Sequence, residues 1–494
     1  MKKRFVSTLL ALIIGFSVFP MTILADESTM VKTPTIDAGS RHSLAIKKDG
    51  SLWLWGGLGG GVGGYVTPTK VMDGVISASS GDVHLLLVRT DGSLWAWGGN
   101  YYGTIGNGTS ADQKLPIKVM DGVASVSAGS NYSLAVKNDG SLWGWGCNMY
   151  GQLGDGTCGI FDDTDMVLDY NIKYNPQKIM DNVAISYASE FCSYAIKTDG
   201  SLWAWGDNKL GQLGDGTTID RLFPVKIMDD VICVSNCAAV KKDGSLLVWG
   251  YYMPMDDLLT SNSNPVKIMD DVVYVSGQRA LKNDGSLWHF GFPILEGGSW
   301  KIEKVMDEIV SISSNRLILK ADSSLWAWGH NFHGVIGDGT TDVYNDDGKL
   351  IVDSTKYSPV KIMDNVLIPG QEPMLPSNNP INIIINSAFL FLDQPPVIEN
   401  GRTLVPVATI ANALEAEAVW NGDTKVVTII KDAKVIKLTI GSNVVSVDGK
   451  DTIIDVPARI IGGRTMVPVR FVATYFGAEV VWDGNKQEIS IITR

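Results

Sequence analysis

The chain has 494 residues, 45% of them hydrophobic, and a formal net charge of −12, so it is long enough to bury more than one core. An acidic balance argues against a nucleic-acid or anionic-membrane partner, which would want a basic face. Five cysteines (Cys147, Cys158, Cys192, Cys233 and Cys237) do not make a disulfide framework in a chain of this size. They leave one incidental bridge open, and they include no Cys-x-x-Cys metal signature.

The first element reads as a leader. Lys2, Lys3 and Arg4 form a basic start, residues 5–19 are apolar, and Ile23-Leu24-Ala25 is a small-residue cleavage site before Asp26. A signal peptide over residues 1–25 is therefore expected, and with it an exported or cell-envelope protein. Its removal would take away three basic residues and leave a net charge of about −15. No later segment reaches the roughly 20 apolar residues needed to cross a bilayer, so no membrane span is expected after removal.

From Asp49 onward the phrase Asp-Gly-Ser-Leu-Trp-Ala-Trp-Gly, or a close variant, recurs seven times, starting at Asp49, Asp91, Asp139, Asp199, Asp243, Asp284 and Asp322. A second anchor of the form Lys-Ile-Met-Asp follows each copy, at Met72, Met120, Met180, Met228, Met269, Met306 and Met363. Short strands repeating at about forty residues mean a propeller or a solenoid. The third unit is the template. Residues 123–128 and 132–137 read as strands, and Asn138-Asp139-Gly140 as a tight hairpin in which glycine supplies positive φ. Residues 141–146 read as the Trp strand, 148–157 as a Gly-rich loop, and 176–181 as a fourth strand. Trp143 and Trp145 share one face of their strand while Leu142 and Gly144 share the other, so both faces are apolar or small. That suits a twisted blade stacked between neighbours, with the Trp pairs as packing wedges.

Trp205-Gly206-Asp207-Asn208-Lys209-Leu210-Gly211-Gln212-Leu213-Gly214-Asp215-Gly216-Thr217 and Ala38-Gly39-Ser40-Arg41-His42-Ser43-Leu44-Ala45 resemble the repeat of the regulator of chromosome condensation family. The resemblance spans residues 31–368 and implies a seven-bladed propeller. Units five and six lack the Gly-Gln-Leu-Gly loop, with Leu247 and Trp288 at the first Trp position, and should make shorter blades. Val366-Leu367-Ile368 corresponds to the strand at Thr33-Pro34-Thr35-Ile36, so strands from both ends of the domain are expected to complete one blade and remove an open edge.

Residues 369–380, with Pro369, Pro373, Pro376 and Pro380, read as a semi-rigid linker offering no apolar surface, so few contacts are expected across it. Residues 381–494 carry their own repeat at an offset of 62 residues. Gly401-Arg402-Thr403-Leu404-Val405-Pro406-Val407 matches Gly463-Arg464-Thr465-Met466-Val467-Pro468-Val469, and the Val-Trp pair at Trp420 matches that at Trp482. Helical stretches over 408–414 and 470–476 precede alternating strands at 425–430 and 487–492, giving an α+β domain with an internal duplication. It resembles the N-terminal domain of copper amine oxidases, also called a stalk domain. No His or Cys follows Pro369, so no copper site is expected, and Arg402 and Arg464 are read as members of ion pairs.

The search for chemistry yields no catalytic residue, cofactor or metal. His42 and His84 occupy one repeat position filled by Tyr132 and Cys192 elsewhere, and so read as structural. His330 and His333 lack a third ligand. The acidic insertions at 161–165 and 344–348 lack the register of a calcium loop. The loops after each Trp-Gly leave one end of their blades and crowd one face of the ring. They carry Tyr101, Tyr102, Tyr150, Tyr251, Tyr252 and Phe332, the candidate ligand-binding residues. The resulting expectation is a monomeric, non-enzymatic binding or adhesion protein whose partner is an extracellular protein or a cell-envelope glycan. The rival readings are a secreted propeller that inhibits a hydrolase and an accessory module of a polysaccharide-active enzyme.

Overall fold

The structure, a computed structural model, describes residues 34–58, 62–162, 164, 166–250, 262–291, 300–313, 316–345, 349–374, 381–390, 392, 394–484 and 487–493. The expected leader, Tyr251 and Tyr252 lie outside these residues.

Alternating apolar positions and Asp-Gly hairpins set down seven antiparallel four-stranded units in chain order. In the third, the strands are Val123–Ala128, Tyr132–Lys137, Leu142–Gly146 and Lys173–Met180. Each hairpin is fixed by its aspartate. Asp139 accepts from the Ser141 amide (2.9 Å) and hydroxyl (2.6 Å), and that hydroxyl accepts from Trp143 Nε1 (2.9 Å). The first Trp of a pair is thus tied to its own hairpin, beneath a lysine: Lys47 lies over Trp53 at 4.0 Å and Lys197 over Trp203 at 4.6 Å.

The second Trp of a pair is buried, and at Trp55, Trp145, Trp205 and Trp249 it is held by the preceding blade. Trp205 Nε1 donates to the carbonyl of Gln152 (2.9 Å), Trp145 to Thr104 (2.8 Å), Trp249 to Gln212 (2.6 Å) and Trp55, across the ring closure, to Val335 (2.8 Å). Gly154 in the Gly-Gln-Leu-Gly loop has φ +68°, and a Cβ there would stand 2.8 Å from the Trp205 indole. This seat explains the glycine.

Both ends of the propeller meet in blade one. Its inner strand is Ile36–Ala38, paired with His42–Ile46. Beyond it, Val366 bridges Lys47, Leu367 N donates to Ile46 O (2.9 Å) and Lys48 N donates to Asn365 O (2.9 Å). The inner strand is therefore composite, half from each terminus, which agrees with the expected closure.

In the C-terminal domain the duplicated motifs pair with each other. Arg402–Pro406 and Arg464–Pro468 run antiparallel, with Val405 opposite Val467 near a local twofold. A short helix follows each, Val407–Ala413 and Val469–Tyr475. A five-stranded meander completes the core around Ile410, Val427, Ile436 and Val472.

The expectation of few contacts with the propeller is corrected. Ala388–Phe389 pairs with the outer strand of blade two at Ile117, so one eight-stranded sheet runs from blade two into the C-terminal domain. Blade two is adapted to this. Where sister blades place Lys over a half-buried Trp, Arg89 faces Phe389 (5.9 Å) and Glu488 (3.9 Å), and Trp95, 1% exposed, meets Phe389 edge-on at 6.2 Å.

Candidate binding face and central channel

In each blade the first and third strands run the same way. The turn after the inner strand and the loop after Trp-Gly therefore share one face, and the Asp-Gly-Ser hairpins occupy the opposite one. The loops are built on a buried asparagine. Asn148 Nδ2 donates to Asp155 Oδ1 (2.9 Å) and Thr157 O (3.0 Å), while its Oδ1 accepts from Leu153 N (2.9 Å). Asn100, Asn208 and Asn331 repeat the arrangement, so four loops are rigid platforms.

The candidate aromatics separate into two sectors. Over blades two to four, Tyr101 meets Tyr102 edge-on (4.9 Å) and Tyr102 meets Tyr170 (5.2 Å). Tyr150 meets Phe161 (5.8 Å) and Phe191 (5.0 Å), with Lys209 over its ring at 5.4 Å. Cys147 Sγ lies against the Tyr170 carbonyl, joining the two clusters. Tyr102 and Tyr150 are half-buried, whereas Tyr101 is 71% exposed. Phe332 stands apart on blade seven, stacked between His330 (5.7 Å) and Tyr344 (6.3 Å). Sequence reading missed Tyr170, Phe161 and Phe191, although the insertion at 158–172 that carries two of them is visible as an extra length of unit three.

It also missed the centre of the ring. Inner strands of all seven blades line a cavity of about 680 Å3. At one register position of each inner strand its lining includes Asp37, Ser79, Ser127, Tyr187, Ser235, Ser276 and Ser313. Four of the serines bond the next blade. Ser79 Oγ accepts from Ala128 N (3.1 Å), Ser127 Oγ from Ala188 N (2.8 Å), Ser235 Oγ from Gly277 N (3.1 Å) and Ser313 Oγ from Ala38 N (3.1 Å). Asp37 is the terminal acceptor, taking bonds from Ser80 N (2.8 Å), Ser79 Oγ (3.1 Å) and Ser313 Oγ (2.7 Å). Burial nonetheless raises its carboxyl above the usual range.

His42 and His84 are buried, and burial lowers each imidazole to about 3. His84 Nε2 lies 2.9 Å from Ser133 Oγ, the bond that Tyr132 makes to Ser193 in the next blade (2.9 Å). His42 has no partner on either nitrogen, because the corresponding residue of blade two is Leu85. Both behave as inter-blade packing groups.

None of the five cysteines is in a disulfide, and burial pushes the Cys192 and Cys233 thiols up to about 12. Arg402 is paired with Asp455, as the sequence reading expected of it. Among the described residues no three His, Cys, Asp or Glu side chains gather as a metal site, and no helix is long and apolar enough to cross a membrane.

A closed ring of four-stranded blades with rigid loops on one face defines a propeller module joined to a small β-rich domain. Residues 20–367 match the RCC1-like domain and residues 384–491 the copper amine oxidase N-terminal domain. The first match covers well over half of the sequence, and the chain belongs to the RCC1-like domain family. Human WBSCR16 is similar in structure, with a TM-score of 0.51 at 20% identity, covering 60% of this chain and 84% of that one. Yeast RCC1 (Prp20), in a crystal structure with Kap60, gives a TM-score of 0.50 at 18% identity, covering 69% and 90%. At such identities the likeness shows the fold alone.

Proposed function

We propose that the chain is a non-enzymatic binding protein of the cell exterior. The loop face of the propeller recognises a protein or a glycan, and the C-terminal domain associates with the cell envelope. The observation that carries this reading is the aromatic cluster of Tyr101, Tyr102, Tyr150 and Tyr170 on loops held rigid by buried Asn100 and Asn148. Preorganised aromatic surface loses little entropy on binding. A yeast protein of the same fold is seen bound to Kap60, which is consistent with a protein partner. The leader-like residues 1–25 support export, and mass spectrometry of the secreted form should find a chain beginning near Asp26.

The test is a pull-down from envelope fractions with the wild-type chain, compared with Tyr101→Ala/Tyr102→Ala and with Lys226→Ala/Asp229→Ala, an exposed ion pair on the opposite face. A central aromatic anchor typically contributes about 2 kcal/mol or more to binding. Loss of the captured partner with the Tyr variant alone is expected. Loss with the opposite-face variant alone would show that the other face binds.

A further inference from the structure

The two faces of the ring differ in charge as well as in aromatic content. On the hairpin face every blade carries an internal Lys–Asp pair three residues apart, from Lys70–Asp73 (2.8 Å) through Lys226–Asp229 (2.7 Å) to Lys361–Asp364 (2.8 Å). That face neutralises itself. The loop face does not. Over blades two to four, Lys173 pairs with Asp155 and Arg221 with Asp215. Asp112, Asp162, Asp169, Glu190, Asp207 and Asp220 remain outside any ion pair among the described residues, against Lys114 and Lys209. Burial chiefly, and the neighbouring Asp220 carboxylate after it, hold Asp207 above the usual carboxylate range.

Apolar side chains are interspersed with these carboxylates. An extra two-stranded ribbon of blade three, Ile160–Phe161 paired with Val167–Asp169, exposes Ile160 (57%) and Leu168 (64%). Leu210 and Ile219 are exposed on blade four, and Tyr101 on blade two. The ribbon is fastened at its base by Tyr150–Phe161 and by Asn171 Nδ2 donating to Thr157 Oγ1 (2.7 Å), so this surface is held in place with its apolar groups outward. A sugar polymer would use the aromatic rings but has no complement for surplus carboxylates and exposed aliphatic groups. A basic protein surface has both.

We infer that the sector over blades two to four docks a folded protein partner that presents lysine or arginine around an apolar knob. This rests on the loop-face reading above and narrows it to one sector and one class of partner. Charge complementarity there would speed encounter and be weakened by salt, while the apolar contacts would persist.

The full chain would be titrated, by fluorescence anisotropy, with three labelled peptides of equal length: an amphipathic Lys/Leu helix, oligolysine and an amphipathic Glu/Leu helix. The Lys/Leu peptide should bind at least tenfold tighter than either of the others, and raising salt from 50 to 300 mM should weaken it about tenfold. Glu190→Lys/Tyr101→Ser should weaken it about tenfold, both residues being exposed. Asp229→Lys, on the hairpin face, should leave it unchanged. Amide exchange of the bound chain should slow in residues 160–169. Equal affinity for Lys/Leu and Glu/Leu peptides, or loss with Asp229→Lys alone, would overturn the inference. The envelope pull-down separates the two readings. A partner lost with Tyr101→Ala/Tyr102→Ala yet insensitive to salt and to Glu190→Lys, or a captured glycan or second copy of this chain, would leave the loop face intact and sink the basic-partner inference.

Discussion

His42 and His84 make the ring sensitive to acid. Their folded values of about 3 lie below the ordinary imidazole value of 6.5, so between those limits the unfolded chain binds more protons than the folded one. Their stabilising contribution is therefore complete above pH 6.5 and is lost progressively as pH falls toward 3. At pH 5 the loss is about 2 kcal/mol for each residue. The internal repeat supplies the control, since Tyr132 fills the same position. His84→Tyr can accept from the Ser133 hydroxyl as Tyr132 does from that of Ser193. The double variant His42→Tyr/His84→Tyr should show a smaller drop in urea midpoint between pH 7 and pH 5 than the wild type. An unchanged drop would place the acid sensitivity elsewhere. The exposed hairpin aspartates act in the same direction at lower pH. Asp139 and Asp199 are lowered chiefly by their serine hydroxyls, so their contribution holds above the ordinary aspartate value and fades as pH falls below it.

At the scale of elements, the composite inner strand of blade one is the closure. Val366 and Leu367 are buried, at 0% and 3% exposure, against Ile46 and Thr35. Val366→Ala/Leu367→Ala should cost about 4 kcal/mol. Amide exchange should rise first in Ile36–Ala38 and His42–Ile46, the strands nearest the seam. Uniform loss of protection across all blades would show that the seam is no weaker than any other joint. Much of this was legible in the sequence. The Trp pairs, the Asp-Gly hairpins and the Gly-Gln-Leu-Gly loops recur at fixed positions, because packing between like blades imposes like residues. What was not legible depends on single departures from the repeat. Asp37 stands where five of the other six units have serine and blade four has Tyr187, and an isolated acid in an alternating strand reads as a solvent-facing residue. Arg89 stands for lysine in the second hairpin, and only the placement of Phe389 and Glu488 gives that change a meaning. The convergence of Tyr102, Tyr150, Tyr170 and Phe191 joins segments separated by insertions, where periodicity carries no information.

At the scale of the whole molecule, the shared eight-stranded sheet couples the two domains. Phe389→Ala/Arg89→Lys removes the ring that covers Trp95 and restores the residue used by other blades. Loss of a large apolar contact of this kind costs about 3 kcal/mol. The wild type should melt as one transition monitored at Trp95 and at the C-terminal meander, and the variant as two. A single transition in the variant would mean that backbone pairing at Ile117 suffices to hold the domains together.

The same seam sets an order of events during synthesis. Blades two to six are each made of consecutive strands and can stack as they emerge, N-terminal first. Blade one cannot finish. Its inner strand lacks Val366 and Leu367 until nearly three-quarters of the chain has been translated, and Trp55 lacks the Val335 carbonyl that holds it. The oldest part of the nascent propeller is therefore the last to be completed, and until then the stack is an open arc with two unpaired ends. Under the export proposed above, that delay would be compatible with passage as an incompletely folded chain, with the ring locking only on the far side.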